Sequence, residues 1–201
     1  MLQSAEARWF MRGAVPIEAL DWIQQWELAP CKPEEREDHY LDLPDTASIG
    51  VKLRDGKFEV KRRDAYLGTV PLGSRVTGRL ALWRKWSYKV AGDDVQKSPD
   101  GHWFTVEKKR FLRKYSHESS GLIPAEPKSF PARGCTVELT LIQARDAKWW
   151  SVGLEAFGPD EGGLRDTLIL AAAKCFTAGS HYPSLSVNDS FDYPEWLLSI
   201  R

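Results

Sequence analysis

Basic residues recur at every second position in several stretches of this chain. Lys52 and Arg54 share one face of 49–54, opposite Val51 and Leu53. In 103–115, Lys108, Arg110 and Lys114 share a face, Lys61 stands with Glu59 opposite Phe58 and Val60, and Lys85 shares a face with Arg79 and Ser87. Carboxylates on such faces are few: Glu6 beside Arg8, Glu59 beside Lys61, Glu138 beside Thr140, and Glu155. Lys and Arg neutralise phosphate oxygens, while carboxylates are hard oxygen ligands suited to Mg²⁺ or Mn²⁺. Many cations with a few carboxylates is the make-up of a site that grips a polyphosphate and a bridging divalent ion. The same alternation also describes an antiparallel sheet whose charged face simply meets water.

Other chemistries find less support. There is no GxxxxGK[ST] phosphate loop, no GxGxxG fingerprint and no GxSxG elbow, so a phosphate site here must be built from side chains. His39, His102, His117 and His181 have no metal-ligand spacing, and Cys31, Cys135 and Cys175 form no CxxC pair, which argues against zinc and a disulfide framework and for a reducing compartment. Arg84-Lys85 and Lys108-Lys109-Arg110, with Trp103, Phe111 and Tyr115 nearby, have the ingredients of a single-stranded nucleic-acid surface. Lys+Arg and Asp+Glu both number 28, however, so no global basic excess draws the chain to nucleic acid or an anionic membrane. Trp83, Trp86, Trp149 and Trp150 could stack on a base, but large aromatics belong first to a core.

The elements that must position these residues follow from periodicity. The 201 residues fit one domain, 1–201, and the 42% hydrophobic content supplies a sizeable core. Alternation predicts strands over 4–11, 39–43, 49–54, 57–63, 79–90, 103–115, 135–143 and 149–157. Asp55-Gly56 and Arg145-Asp146-Ala147 mark hairpins, and Gly92, Pro99 and Asp100-Gly101 a polar loop. Helices are expected after Pro16, with Ile17, Leu20, Ile23, Trp26 and Leu28 at helical spacing, and over 164–176, with Gly179 as a stop. The prolines of 29–38 and 124–131 predict exposed connections, and the aromatic tail from 180 is expected to pack on the body. Glu6, Arg8 and Arg12 interrupt any secretory leader, and the longest apolar run, 168–173, is too short for a membrane span, so a cytoplasmic protein is expected.

Six segments, in order, resemble the CYTH or triphosphate tunnel family. Ser4-Ala5-Glu6-Ala7-Arg8 resembles its opening Glu-x-Glu-x-Lys, and Tyr40-Leu41-Asp42-Leu43-Pro44-Asp45 resembles its Tyr-x-Asp-Thr-Pro. Val51-Lys52-Leu53-Arg54, Phe58-Glu59-Val60-Lys61 and Lys108-Lys109-Arg110 resemble its basic strands, and the segment from Val187 through Tyr193-Pro194-Glu195-Trp196-Leu197 resembles its close. The resemblance implies an α+β fold, an antiparallel eight-stranded β-barrel forming a tunnel with flanking helices. It implies a triphosphate-containing small molecule as partner, with Mg²⁺- or Mn²⁺-dependent hydrolysis. Arg8, Lys52, Arg54, Lys61, Lys85, Lys108 and Arg110 would contact phosphates. Glu6 and Glu155 would be catalytic and hold metal, assisted by Glu59 or Glu138. Two positions depart from the pattern: Ser4 replaces the first carboxylate of the opening motif, and Gly153 stands where a Glu-x-Glu pair would begin before Glu155. A non-catalytic polyphosphate- or nucleotide-binding protein of the same fold is the alternative expectation.

Overall fold

A computed structural model describes residues 2–25, 31–89, 103–177 and 181–201. In chain order the elements are β1 (Leu2–Arg12), α1 (Ile17–Gln24), β2 (Glu34–Leu41), β3 (Ile49–Arg54), β4 (Lys57–Gly73), β5 (Val76–Lys89) and β6 (Trp103–Glu118). There follow β7 (Gly121–Ala125), β8 (Gly134–Ala144), β9 (Ala147–Phe157), α2 (Gly162–Cys175), a 3-10 turn (Val187–Asp189) and α3 (Tyr193–Ser199). The strands pair in the order β2-β3-β4-β5-β1-β9-β8-β6-β7, and β2 pairs again with β6. Eight strands thereby close an antiparallel barrel, with β7 added along the second half of β6. Closure removes the exposed edges that an open sheet of this size would leave.

Two tight hairpins fix the register. Asp55 and Gly56 both adopt positive φ, 48° and 66°, which is the backbone a two-residue turn between twisted strands requires. Arg145 and Asp146 do the same at 44° and 55°, so the second turn is the dipeptide itself and Ala147 already pairs with Ala144. The long β4–β5 ribbon carries irregularities at Arg63/Ala65, Tyr66/Gly68 and Pro71/Gly73, which bend it around the barrel.

Pleating sends the apolar faces outward and the charged faces inward. Ala5, Ala7 and Trp9 of β1, Val137 and Leu139 of β8, and Val152 and Leu154 of β9 are buried on the outer surface. They are covered by Leu164, Leu168, Ala171 and Ala172 of α2 and by Ala19, Trp22 and Ile23 of α1. A second cluster is built from Phe10, Tyr40, Val106 and Ile142 with Trp196 and Leu197 of α3. Phe10 stacks on Trp196 at 4.6 Å, and Tyr40 stacks on Tyr193 at 5.6 Å.

The eight expected strands are present, with three corrections. Residues 34–38, read as part of an exposed loop, belong to β2, because their pairing with β6 outweighs the acidic composition. The proline-bearing connection contains β7, with Pro124 within it on the sheet's edge. The strand expected to end at 63 runs on to Gly73. The expected helix residues Trp26 and Leu28, the stop at Gly179, the end of the fifth strand at Val90 and the loop with Gly92, Pro99 and Asp100-Gly101 lie outside the described residues.

Gly78 is the tightest close approach between the ribbon and β1. A Cβ there would meet Trp9 Cζ2 at 2.4 Å, and Trp9 is fully buried with its Nε1 donating to Thr77 O at 2.9 Å. Gly78→Ala should therefore lower unfolding stability by about 1–3 kcal/mol through overpacking, measured by urea denaturation.

Candidate functional site

The inward faces enclose a cavity of about 260 Å³. Arg8, Arg36, Lys52, Arg54, Lys61, Lys85, Lys108 and Arg110 line it, together with Glu6, Glu59, Glu138, Glu155 and Asp192. Every residue singled out from sequence as a phosphate or metal contact stands on this one wall. The antiparallel register brings them together: Glu6 lies directly opposite Glu155 across β1 and β9, Lys52 opposite Glu59 across β3 and β4, and Lys61 opposite Lys85 across β4 and β5. Lys114, on the Arg110 face of β6, donates instead to Ser129 O at 2.7 Å and is not part of the lining.

The charges fall into three groups. In the first, Glu138 accepts from Arg8 Nη1 at 2.8 Å and from Arg110 Nε at 2.8 Å and Nη2, with Thr140 Oγ1 donating at 2.8 Å. Burial works against its ionisation, but the two guanidinium groups hold its carboxyl well below the usual range. In the second, Asp38 is fully buried, accepts from Lys108 Nζ at 2.6 Å and Lys52 Nζ at 3.4 Å, and has Arg36 Nε at 3.5 Å. Glu59 joins this group, 2.6 Å from Lys85 Nζ and 3.1 Å from Lys52 Nζ, and is held near 2 despite its burial. Burial pulls Lys52 and Lys108 down to about 7, against the opposing field of Asp38.

The third group is Glu6, Glu155 and Lys61. Lys61 Nζ donates to Glu6 Oε1 and lies 3.8 Å from Glu155 Oε1. Burial and the facing Glu155 push the Glu6 carboxyl up, whereas Lys61 and Lys85 outweigh burial at Glu155 and keep it near 2. Ser4 Oγ donates to Glu6 at 2.7 Å. Aromatic rings complete the lining: Lys108 Nζ sits 4.2 Å from the centre of Tyr193, Arg8 Cζ 5.1 Å from the same ring, and Lys61 Nζ 5.4 Å from Trp83. The Trp83 indole Nε1 is buried with no acceptor among the described residues.

Arg36, Asp38 and Asp192 are contributors that the sequence reading missed. Glu34, Arg36, Asp38 and Tyr40 alternate like the other strands, but the prolines of 29–38 drew the segment into a loop. Asp192 enters as the N-cap of α3, a position without strand periodicity.

A divalent ion, as the resemblance implies, needs three or more hard donors converging on one point unless water or substrate supplies the rest. Among the described residues no such group of His, Cys, Asp or Glu is present. Glu6 and Glu155 are two donors already bridged by an ammonium, and Glu138 and Glu59 are enclosed by cations. This donor set does not fit a resident Mg²⁺ or Mn²⁺.

No family model and no curated protein matches the sequence. Among solved structures, a conserved hypothetical protein from Pyrococcus furiosus is similar at 13% identity, over 96% of this chain and 98% of that one, with TM-score 0.48. A protein from Bacillus halodurans described as a "putative adenylate cyclase" is similar at 13% identity, over 90% and 95%, with TM-score 0.38. Neither likeness is close enough to carry a functional argument.

Glu138 is the point on which two guanidinium groups depend. Glu138→Ala should leave Arg8 and Arg110 as neighbouring, half-compensated buried charges and lower stability by about 3 kcal/mol, read from the shift in denaturant midpoint at constant slope.

Proposed function

We propose that this barrel binds a small, multiply charged anion of the polyphosphate type, such as inorganic triphosphate or the triphosphate arm of a small molecule. The observation that carries the reading is the convergence of eight Lys and Arg side chains on one cavity of about 260 Å³. A charged sheet face that merely meets water would spread its cations over the surface; here they line one cavity together with Glu6, Glu59, Glu138, Glu155 and Asp192. That arrangement is stable only with anions between them. The described carboxylates supply part of that charge, and a polyphosphate, with oxygens on several phosphorus atoms, supplies the rest.

The hydrolytic reading rests on Glu6 and Glu155, which face each other across β1 and β9 and both line the cavity. Its chemistry calls for a divalent ion to offset charge on the transferring phosphoryl group. The described carboxylates form no site for one by themselves, and Glu6 and Glu155 already share the Lys61 ammonium, so binding is the reading taken here.

Phe10, Tyr40, Tyr193 and Trp196 pack against one another beside the cavity, which Tyr40 and Tyr193 line. No described helix is long and apolar enough to cross a membrane.

The decisive test is isothermal titration with inorganic triphosphate. Wild-type protein should bind it more tightly than orthophosphate, and Lys52→Ala combined with Arg54→Ala should weaken binding on the order of a hundredfold, as expected for two charge-assisted hydrogen bonds. Unchanged affinity in the double variant would place the site elsewhere. A second outcome concerns protons. Burial holds Lys52 and Lys108 near 7 in the empty site, and an adjacent anion favours their charged forms and raises both values. Binding should take up protons, and affinity should fall as the pH climbs above about 7. Titrations in two buffers of different ionisation enthalpy measure that uptake directly.

A further inference from the structure

Gly153 and Lys61 together explain why the donor set is short. Gly153 lies directly opposite Arg8 in the β1–β9 register. A Cβ at that position would stand 2.6 Å from Arg8 Cζ and 2.6 Å from Nη2, well inside contact distance. The guanidinium thus occupies the volume that a side chain at 153 would take. From there Arg8 Nη1 reaches Glu138 Oε1 at 2.8 Å and Ser151 Oγ at 3.3 Å. Any side chain at 153 would require the Arg8 guanidinium to move from the position in which it pairs with Glu138.

Two residues along the same strands, the Glu6–Glu155 pair has its positive charge already in place. Lys61 arrives from β4, donates to Glu6 and stands 3.8 Å from Glu155. Ser4, almost fully buried, adds a hydroxyl donor to the same Glu6 oxygen. An oxygen that accepts from both an ammonium and a hydroxyl has little lone-pair capacity left for an ion. The two positions that would have added carboxylates here instead admit a guanidinium and contribute a hydrogen-bond donor.

Resting on the reading of the cavity as an anion site, we infer that Lys61 is a built-in counter-ion that replaces a divalent cation between Glu6 and Glu155, so that this chain takes its anion without metal. Lys61 is then a specificity-determining residue: it sets which form of the ligand is bound. Free triphosphate, carrying its full charge, is preferred over the Mg²⁺ complex, whose charge is partly neutralised and whose metal would press against Lys61 Nζ. The ammonium also leaves the ligand's own oxygens to the surrounding Arg and Lys donors.

Two measurements on the full chain separate this inference from the reading beneath it. The first needs no anion: Mn²⁺ is titrated and followed by electron paramagnetic resonance. Wild-type protein and Lys61→Arg should hold no Mn²⁺ at millimolar concentration, whereas Lys61→Ala should gain a site, because Glu6 and Glu155 lose their cation. Specific Mn²⁺ binding by wild-type protein, abolished in Glu6→Gln, would overturn the inference whatever the ligand proves to be. The second is calorimetry with inorganic triphosphate in chelator and in excess Mg²⁺. Equal or tighter binding in chelator supports the metal-free site. Tightening by Mg²⁺ of roughly tenfold or more, about 1.4 kcal/mol, overturns it while leaving the anion site standing. Absence of binding under both conditions would sink the anion reading itself and this inference with it. The wild-type arms stand even if Lys61→Ala fails to fold.

Discussion

Charge pairing inside a closed sheet is the constraint on which the rest of this structure depends. A barrel whose strands point Lys, Arg, Asp and Glu inward removes those groups from bulk water, and each ion so removed costs several kcal/mol unless it finds a partner. Asp38 shows how tightly that condition is met: it is fully buried and shared among Lys108, Lys52 and Arg36. Turning the charges inward has a second consequence. The apolar faces then look outward, and a barrel of this kind cannot exist without a covering layer. The helices α1 and α2 provide it over Trp9, Val137, Leu139, Val152 and Leu154. Core and site lie on opposite faces of the same strands, and the pleat sets both at once.

That coupling explains what was legible in the sequence. Lys52, Arg54, Lys61 and Lys108 stand out because period-two alternation against Val51, Leu53, Val60 and similar neighbours is a local signal. The hairpins were equally local, since Asp55-Gly56 states its own backbone geometry. What local pattern does not encode is which cation meets which carboxylate. Glu138 is 130 residues from Arg8 and 28 from Arg110, and only the shared register of β1, β9, β8 and β6 brings the three together. The strand over 34–38 was hidden for a related reason: its charged residues read as solvent-facing until β6 is beside them. Gly153 looked like a simple loss of a carboxylate, and its role as room for Arg8 needs three dimensions to see.

The chain's end is part of the same economy of charge. Helix α3 has only seven residues and owes its place to tertiary contacts. Its N-terminus carries a capping box formed by Asp192 and Glu195. Arg63 of β4 bonds both carboxylates, Arg79 of β5 donates to Glu195 at 2.8 Å, and Tyr66 donates to Glu195 as well. Burial and the nearby Glu195 push Asp192 up to about 6. Its protonated form is therefore favoured by the fold: the stabilisation is complete below the ordinary carboxylate range and is lost as the pH rises through about 6. Tyr193, the next residue, carries the connection inward to Lys108 and Arg8.

Binding in such a site is an exchange of partners rather than the filling of a void. Every cation lining the cavity already holds, or shares, a carboxylate. A monovalent anion offers one or two contacts and must break comparable ones to make them, so its net gain is small. A polyphosphate of the kind proposed offers oxygens on successive phosphorus atoms and would engage several of the wall's cations at once while losing its translational freedom only once. A preference for highly charged ligands would then follow from internal competition rather than from the shape of the cavity alone. Under the proposed reading, the carboxylates of the wall, Glu138 and Glu59 above all, would compete with any incoming anion for these cations.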